Sequence, residues 1–202
     1  MNSGRPCIFG EVLFDHFPDG SRVLGGAPFN VAWHLQAFGQ APRFISRVGR
    51  DAEGDHIRDA MGNWGMDTAT LQTDDKLPTG RVSVSIADGE PSYDIVRPVA
   101  YDAIDPCTGC DDCDLLYHGS LALRDTTSQQ ALNALLASRP GRVFVDVNLR
   151  PPWWRREVLT GLLHGADWVK INADELAELQ PQAGPDAAAA MLADYGLQGL
   201  IL

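Results

Sequence analysis

Short apolar runs of strand length alternate with segments of helical spacing along most of this chain, and that rhythm leaves few folds open. Cys7–Phe14, closed by Asp15 and the Pro18 and Gly20 turn signals, reads as a buried first strand. Pro28 to Phe38 then carries Val31, Ala32, Leu35 and Phe38 at helical spacing, with proline in the first turn and Gly39 as the stop. Phe44–Val48 is a second strand, and Asp51 caps a helix with Ile57, Ala60, Met61 and Trp64 on one side. Further on, strands at Asp114–Tyr117, Arg142–Val147 and Trp168–Ile171 are separated by helices at Thr126–Ala137 and Arg155–Leu163. A short helix behind Asn172 and an alanine-rich one from Asp186 to Tyr195 lead to Gly199–Leu202, an apolar run expected to be a core strand. Crossover helices bury both sides of such a sheet, so the expected class is α/β, a mostly parallel sheet with helices on both faces.

One stretch breaks the rhythm. Arg81–Ala87 and Ser92–Arg97 alternate in polarity and are joined through Asp88-Gly89, a hairpin signal. With a short strand near Arg22–Leu24 they predict a small second sheet, its strands near 20–25 and 80–98 inserted into one domain spanning 1–202. The size suits a single domain: 202 residues, 45% hydrophobic and 21% charged. Sixteen basic against twenty-seven acidic residues give a net charge of −11. Only Lys76 and Lys170 are lysines, which excludes a broad basic face for nucleic acid or an anionic membrane. No apolar run approaches the ~20 residues of a membrane span, and the N-terminus lacks a signal-peptide pattern. A cytoplasmic location with reduced cysteines is the expectation.

In open parallel sheets ligands bind beyond the carboxyl ends of the strands, so the polar strand exits are the candidate site. Asp15 can accept two hydrogen bonds from vicinal hydroxyls, or serve as a turn residue. Gly25-Gly26-Ala-Pro28-Phe29-Asn30 puts free backbone N–H groups at a helix start and an amide one turn on, or is a plain loop-to-helix turn. Asp146-Val-Asn148-Leu-Arg150 sends an acid, an amide and a guanidinium to one side, for a polar ligand or an internal ion pair. Asn172-Ala-Asp-Glu175 places an amide and a carboxylate within one turn, suited to metal-bound water and phosphate or to capping alone.

Taken together these segments resemble the ribokinase-like (PfkB) carbohydrate kinases. The resemblance rests on Gly10-Glu11-Val-Leu-Phe-Asp15, Gly25-Gly26-Ala-Pro28-Phe-Asn30, Gly49-Arg50-Asp51-Ala-Glu53-Gly54, Pro78-Thr79-Gly80-Arg81, Asp146-Val-Asn148-Leu-Arg150-Pro and Lys170-Ile-Asn172-Ala-Asp-Glu175. It implies a Rossmann-like body with a β-sheet lid, and a kinase that transfers phosphate from ATP, with Mg2+, to a primary hydroxyl of a sugar. Asp15, Gly25, Gly26 and Asn30 would hold sugar hydroxyls, and Arg97 on the second lid strand would reach an anionic or ketose substrate. Asn148 and Arg150 would line the same site, while Lys170, Asn172 and Glu175 would attend magnesium and the phosphate chain. Ala27 and the Asn148-Leu-Arg150-Pro wording stand nearer to fructokinases and 2-keto-3-deoxygluconate kinases than to ribokinases, so fructose or a related ketose is the expected acceptor.

The same resemblance implies a C-terminal truncation. The family's glycine-alanine-glycine-aspartate motif, which brings the catalytic base, and most adenine contacts follow the asparagine-x-x-glutamate element and are expected beyond Leu202, leaving no catalytic residue within the chain. The alternative is a sugar-binding fragment without phosphate transfer. A further alternative is a metal-binding or redox module built on Cys107, Cys110 and Cys113, with Cys7 or His118 as fourth partner. The family has no such site, no fourth ligand is near in sequence, and Asp111 and Asp112 would repel thiolates, so no metal is assigned. An exposed lid face points to a homodimer through the lid.

Overall fold

The computed structural model describes residues 4–87, 90–108, 110, 112–138 and 140–202, so the Asp88-Gly89 turn and Asp111 lie outside the described residues. In chain order the elements are β1 (Arg5–Phe9), β2 (Leu13–His16), β3 (Arg22–Gly25), α1 (Ala27–Ala37), β4 (Arg43–Gly49), α2 (Ala52–Asn63), β5 (Leu71–Asp74), β6 (Gly80–Ala87) and β7 (Glu90–Ile95). Then follow β8 (Cys113–His118), α3 (Thr126–Ala137), β9 (Val143–Asp146), α4 (Arg156–His164), β10 (Trp168–Lys170), α5 (Ala173–Leu179), α6 (Ala187–Tyr195) and β11 (Gly199–Ile201). Seven strands form a parallel sheet in the order β11-β10-β9-β8-β1-β4-β5. The remaining four form the lid, β3-β2-β6-β7, in which β2 pairs antiparallel with β3 and parallel with β6.

Burial on both faces explains the continuous apolar strands. Along β1, Ile8 joins Phe29, Phe44, Val48, Ile57 and Met61 on one side of the sheet. Its neighbours Cys7 and Phe9 pack with Ile45, Tyr101, Leu116 and Leu132 on the other. A third cluster, with Val145, Val147, Val169, Leu159, Leu163 and Met191, closes the sheet beneath α4 and α6. Among the described residues no helix is long and apolar enough to cross a membrane.

Three expectations are corrected. The run Cys7–Phe14 is two strands: Gly10, at φ +150°, makes its last bond to the body through Ile45 O (3.2 Å), and β2 then belongs to the lid. Both pieces are buried, and an unbroken apolar run cannot show where one buried strand hands over to another. Asp15 therefore lies on a lid strand and is not the exit of a body strand. The short β5, half polar, was not anticipated, because as an edge strand it needs only Leu71 and Asp74 buried. β11 (Gly199–Ile201) pairs with β10 alone and so stands as the opposite edge among the described residues, with Ile201 48% exposed.

A polar junction ties the lid to the body where β4 ends and β6 begins. Asp51 caps α2 by accepting from Gly54 N (2.8 Å) and also accepts from Thr79 N (2.8 Å) and Thr79 Oγ1 (2.7 Å). Thr79 Oγ1 in turn accepts from Gly49 N (3.0 Å), joining the exit of β4 to the entry of β6. Burial acts to raise the Asp51 pKa, but the Thr79 and Gly54 bonds outweigh it and hold the carboxyl below its usual value. Asp51→Ala removes a cap and two lid bonds, and is expected to lower the unfolding free energy by about 3 kcal/mol near neutral pH. Because the folded pKa is depressed, that difference shrinks as pH falls below the ordinary value of 3.8, which urea titrations across pH will show.

Candidate functional site

Between the carboxyl ends of the body strands and the lid lies a cavity of about 470 Å³. Glu11 enters it from the β1–β2 link, Leu13 and Asp15 from β2, and Gly26 and Ala27 from the start of α1. Val82, Tyr93 and Ile95 come from β6 and β7, Leu121 from beyond β8, and Asn148 and Arg150 from beyond β9. The floor and exits are polar and much of the lid side is apolar, the composition that suits a small polyhydroxylated ligand.

Four of the sequence-predicted residues meet here: Asp15, Gly26, Asn148 and Arg150. Burial raises the half-buried Asp15 above the ordinary aspartate value. Gly25 backs it, since a Cβ there would sit 3.3 Å from Asp15 Oδ2. Gly26, at φ +111°, is more constrained, because an added Cβ would lie 2.6 Å from Glu11 O. Asn148 adopts φ +40°, a left-handed conformation uncommon outside glycine. Its loop is held by Ser120 Oγ donating to Val147 O (2.8 Å) and Leu149 N donating to Glu175 Oε1 (2.6 Å).

The other candidates sit elsewhere. Asn30 is exposed on α1 and is not among the cavity-lining residues. Arg97 faces a neighbouring pocket with Arg124, Asp125, Trp153 and Arg155, pairing with Asp125 (3.3 Å) and lying over the Trp153 ring. Lys170 donates to Asp146 (3.1 Å), which also accepts from Tyr117 OH (2.9 Å) and so is not presented to the cavity. Asn172 and Glu175 form a reciprocal capping box, with Glu175 Oε2 accepting from Asn172 N (3.0 Å) and Asn172 Oδ1 from Glu175 N (2.9 Å). Glu175 is buried with one backbone N–H on each oxygen, so it fastens the Asn148 loop to α5.

Sequence reasoning missed Glu11 as a site residue. It is 2% exposed and its Oε2 has no hydrogen-bond partner. Burial pushes its pKa up to about 7, the nearby Arg150 lowers it and Asp146 raises it. The available signal was an acid inside an otherwise apolar run, since a buried carboxyl without a fixed partner marks a functional site more often than a structural one. Deeper in, His118 donates through Nδ1 to Gly119 O (3.0 Å), and burial lowers its pKa to about 4, leaving a neutral ring.

The raised Glu11 pKa has a definite sign. The folded state binds the proton more tightly than the unfolded chain, so this group lowers stability as pH rises from its ordinary 4.5 through about 7. Glu11→Gln is therefore expected to be more stable than the parent at pH 8, by up to about 3 kcal/mol, with the gain vanishing near pH 4. Denaturant titrations of both proteins across that range measure it.

A family model described as pfkB family carbohydrate kinase matches residues 9–199. Among curated proteins the chain is similar to a fructokinase of Klebsiella pneumoniae, 30% identical over 195 residues that cover 87% of this chain and 62% of the relative. It is also similar to an aminoimidazole riboside kinase of Salmonella typhimurium, 29% identical with 96% and 66% covered. Among solved structures it resembles the apo fructokinase of Vibrio cholerae at 26% identity and TM-score 0.81, covering 95% of this chain and 72% of that one. A fructokinase of Xylella fastidiosa crystallised with ATP shares the fold at TM-score 0.84, 24% identity, and 99% and 69% coverage. The chain spans about 60% of the length of the first curated relatives it matches. With the matched segment running through both the parallel body and the lid, this chain belongs to the pfkB family of carbohydrate kinases.

Proposed function

We propose that this chain is the sugar-binding portion of an ATP-dependent, cytoplasmic kinase that phosphorylates a primary hydroxyl of fructose or a related ketose. The observation that carries the reading is the convergence of Asp15, Asn148, Arg150 and the Gly26 backbone, together with the buried Glu11, on one cavity of sugar size. Asp15 accepts hydrogen bonds from two neighbouring hydroxyls, and Asn148 both donates and accepts. Glu11, half protonated near neutral pH, can donate as well as accept. Leu13, Val82, Ile95 and Leu121 cover the apolar face of the ring and exclude water, which strengthens those polar contacts. The fructokinase relatives support the ketose, whereas the riboside kinase among them acts on a different sugar, so the acceptor is the first thing to test.

ATP and magnesium, when bound, would supply the phosphoryl group and neutralise its charge. Lys170, half exposed beside Asp146, and Arg150 are cations at strand exits that can face phosphate. Glu175 and Asn172 already hold backbone N–H groups, so they position α5 and the Asn148 loop instead of enclosing an ion directly. A second reading is a sugar-binding protein without turnover, for which the cavity residues named above suffice. The exposed Val23 on the lid's edge strand β3 supports pairing with a second copy.

Calorimetric titration with fructose is expected to show saturable binding that Asp15→Ala weakens at least ~10-fold, the loss of a charge-assisted hydrogen bond. A coupled ATP assay with fructose then separates the readings. Binding with turnover supports the kinase, binding without it supports the sugar-binding fragment, and no binding of fructose or other ketoses overturns the proposed site. Light scattering across a dilution series is expected to show a dimer, and a monomer throughout would remove the lid pairing.

A further inference from the structure

All four thiols of this chain gather at the amino-terminal edge of the parallel sheet, at the opposite end of the strands from the cavity. Cys113 opens β8 opposite Arg5 of β1, Cys7 follows on β1, and Cys107 and Cys110 lie in the loop that delivers the chain to β8. Cys7, Cys110 and Cys113 are buried in one apolar cluster, and the half-buried Cys107 packs against it. His118, the other partner considered from sequence, stands at the far end of β8, roughly 16 Å along the strand from Cys113.

Within this group one contact is far shorter than packing requires: Cys107 Sγ lies 2.9 Å from Cys110 Sγ, with both thiols free. The loop that carries them is held at its end. Asp112 pairs with Arg43, its carbonyl accepts from Arg5 N (3.1 Å), and Cys113 N donates to Cys110 O (3.3 Å). Hydrogen bonds from Cys107 and then Cys7 hold the Cys110 thiol below its usual pKa, with Arg43 adding to the effect against burial and Asp112. The repulsion expected from Asp112 is therefore offset by its own partner, Arg43. Among the described residues no three or more His, Cys, Asp or Glu side chains are grouped to hold a metal ion, and Cys107 and Cys110 are the thiols with the short sulfur contact.

We propose that Cys107 and Cys110 form a reversible redox-modification site, oxidised by low-molecular-weight disulfides to an intrachain disulfide. The half-exposed Cys107 meets the external disulfide: its sulfur bonds to one sulfur of the reagent as its proton leaves, and one reagent thiolate departs. Cys110 then attacks the Cys107 sulfur, forming the internal bond and expelling the second reagent thiolate. Both departing thiolates take up the protons the protein has lost. The protein gives up two electrons and two protons, and one disulfide reagent becomes two thiols. The two sulfurs already stand 2.9 Å apart, within about 1 Å of the S–S bond length.

The test is to incubate the 202-residue chain with glutathione disulfide, alkylate the remaining thiols and cleave before aspartates, which separates Asp105–Cys110 from Cys113. The expected result is loss of two hydrogen atoms, alkylation of Cys7 and Cys113 only, and both missing thiols within Asp105–Cys110, all reversed by dithiothreitol. Cys107→Ser and Cys110→Ser should each abolish the internal bond, and Cys113→Ser should keep it. Mapping of the unmutated chain decides the matter even if a variant fails to fold. A link through Cys7 or Cys113, full alkylation, a lasting glutathione adduct without an internal bond, or stoichiometric zinc that protects the thiols would each overturn the proposal.

Discussion

The close approach of the α1 start to the Glu11 carbonyl is the contact on which the site depends. The chain leaves the body sheet at Gly10, crosses through Glu11 and Val12, and enters the lid at Leu13. The same crossing is where β3 hands over to α1, and only a residue without Cβ fits, because one on Gly26 would stand 2.6 Å from Glu11 O. Gly80 repeats the constraint where β6 begins, with an added Cβ 2.6 Å from Val12 O. Two glycines thus let three segments of chain share one crossing, and the cavity is the space that this crossing leaves between sheet and lid.

Around the crossing, carboxylates are divided by what they touch. Asp51, Asp74 and Asp125 accept backbone N–H groups or face arginines and keep pKa values below the ordinary range despite burial. Glu175 spends both oxygens on backbone groups that join the β9 exit to α5. At Glu11 and Asp15 burial outweighs what compensation there is, and raises both. The first group is architecture; the second lines the cavity, where an incoming ligand can provide the hydrogen bonds that the protein withholds.

Much of this was legible in the residues. The alternation of apolar runs and helical spacing led to the parallel body, and the alternating strands at 80–98 led to the lid. Asp51 and Asn172 were readable as caps because their side chains bond to nearby backbone, an interaction local in sequence. Asp15, Gly26, Asn148 and Arg150 were found through the rule for strand exits and the family wording, and they do converge. Arg97 was placed in the sugar site, yet Asp125 and Trp153 draw it toward a separate pocket. Glu11 was passed over because a buried run conceals which of its members turns inward to a cavity.

The sequence by itself determined the class of fold, the family and the set of polar residues at the strand exits, because periodicity, turn chemistry and motif spacing are local properties. Only the tertiary structure decided that Cys7–Phe14 serves two sheets, that Glu11 is a buried carboxyl with one oxygen unpaired, and that Cys7 joins Cys107, Cys110 and Cys113 in one cluster. Those facts follow from strand order and burial, which depend on residues far apart in the chain meeting in space.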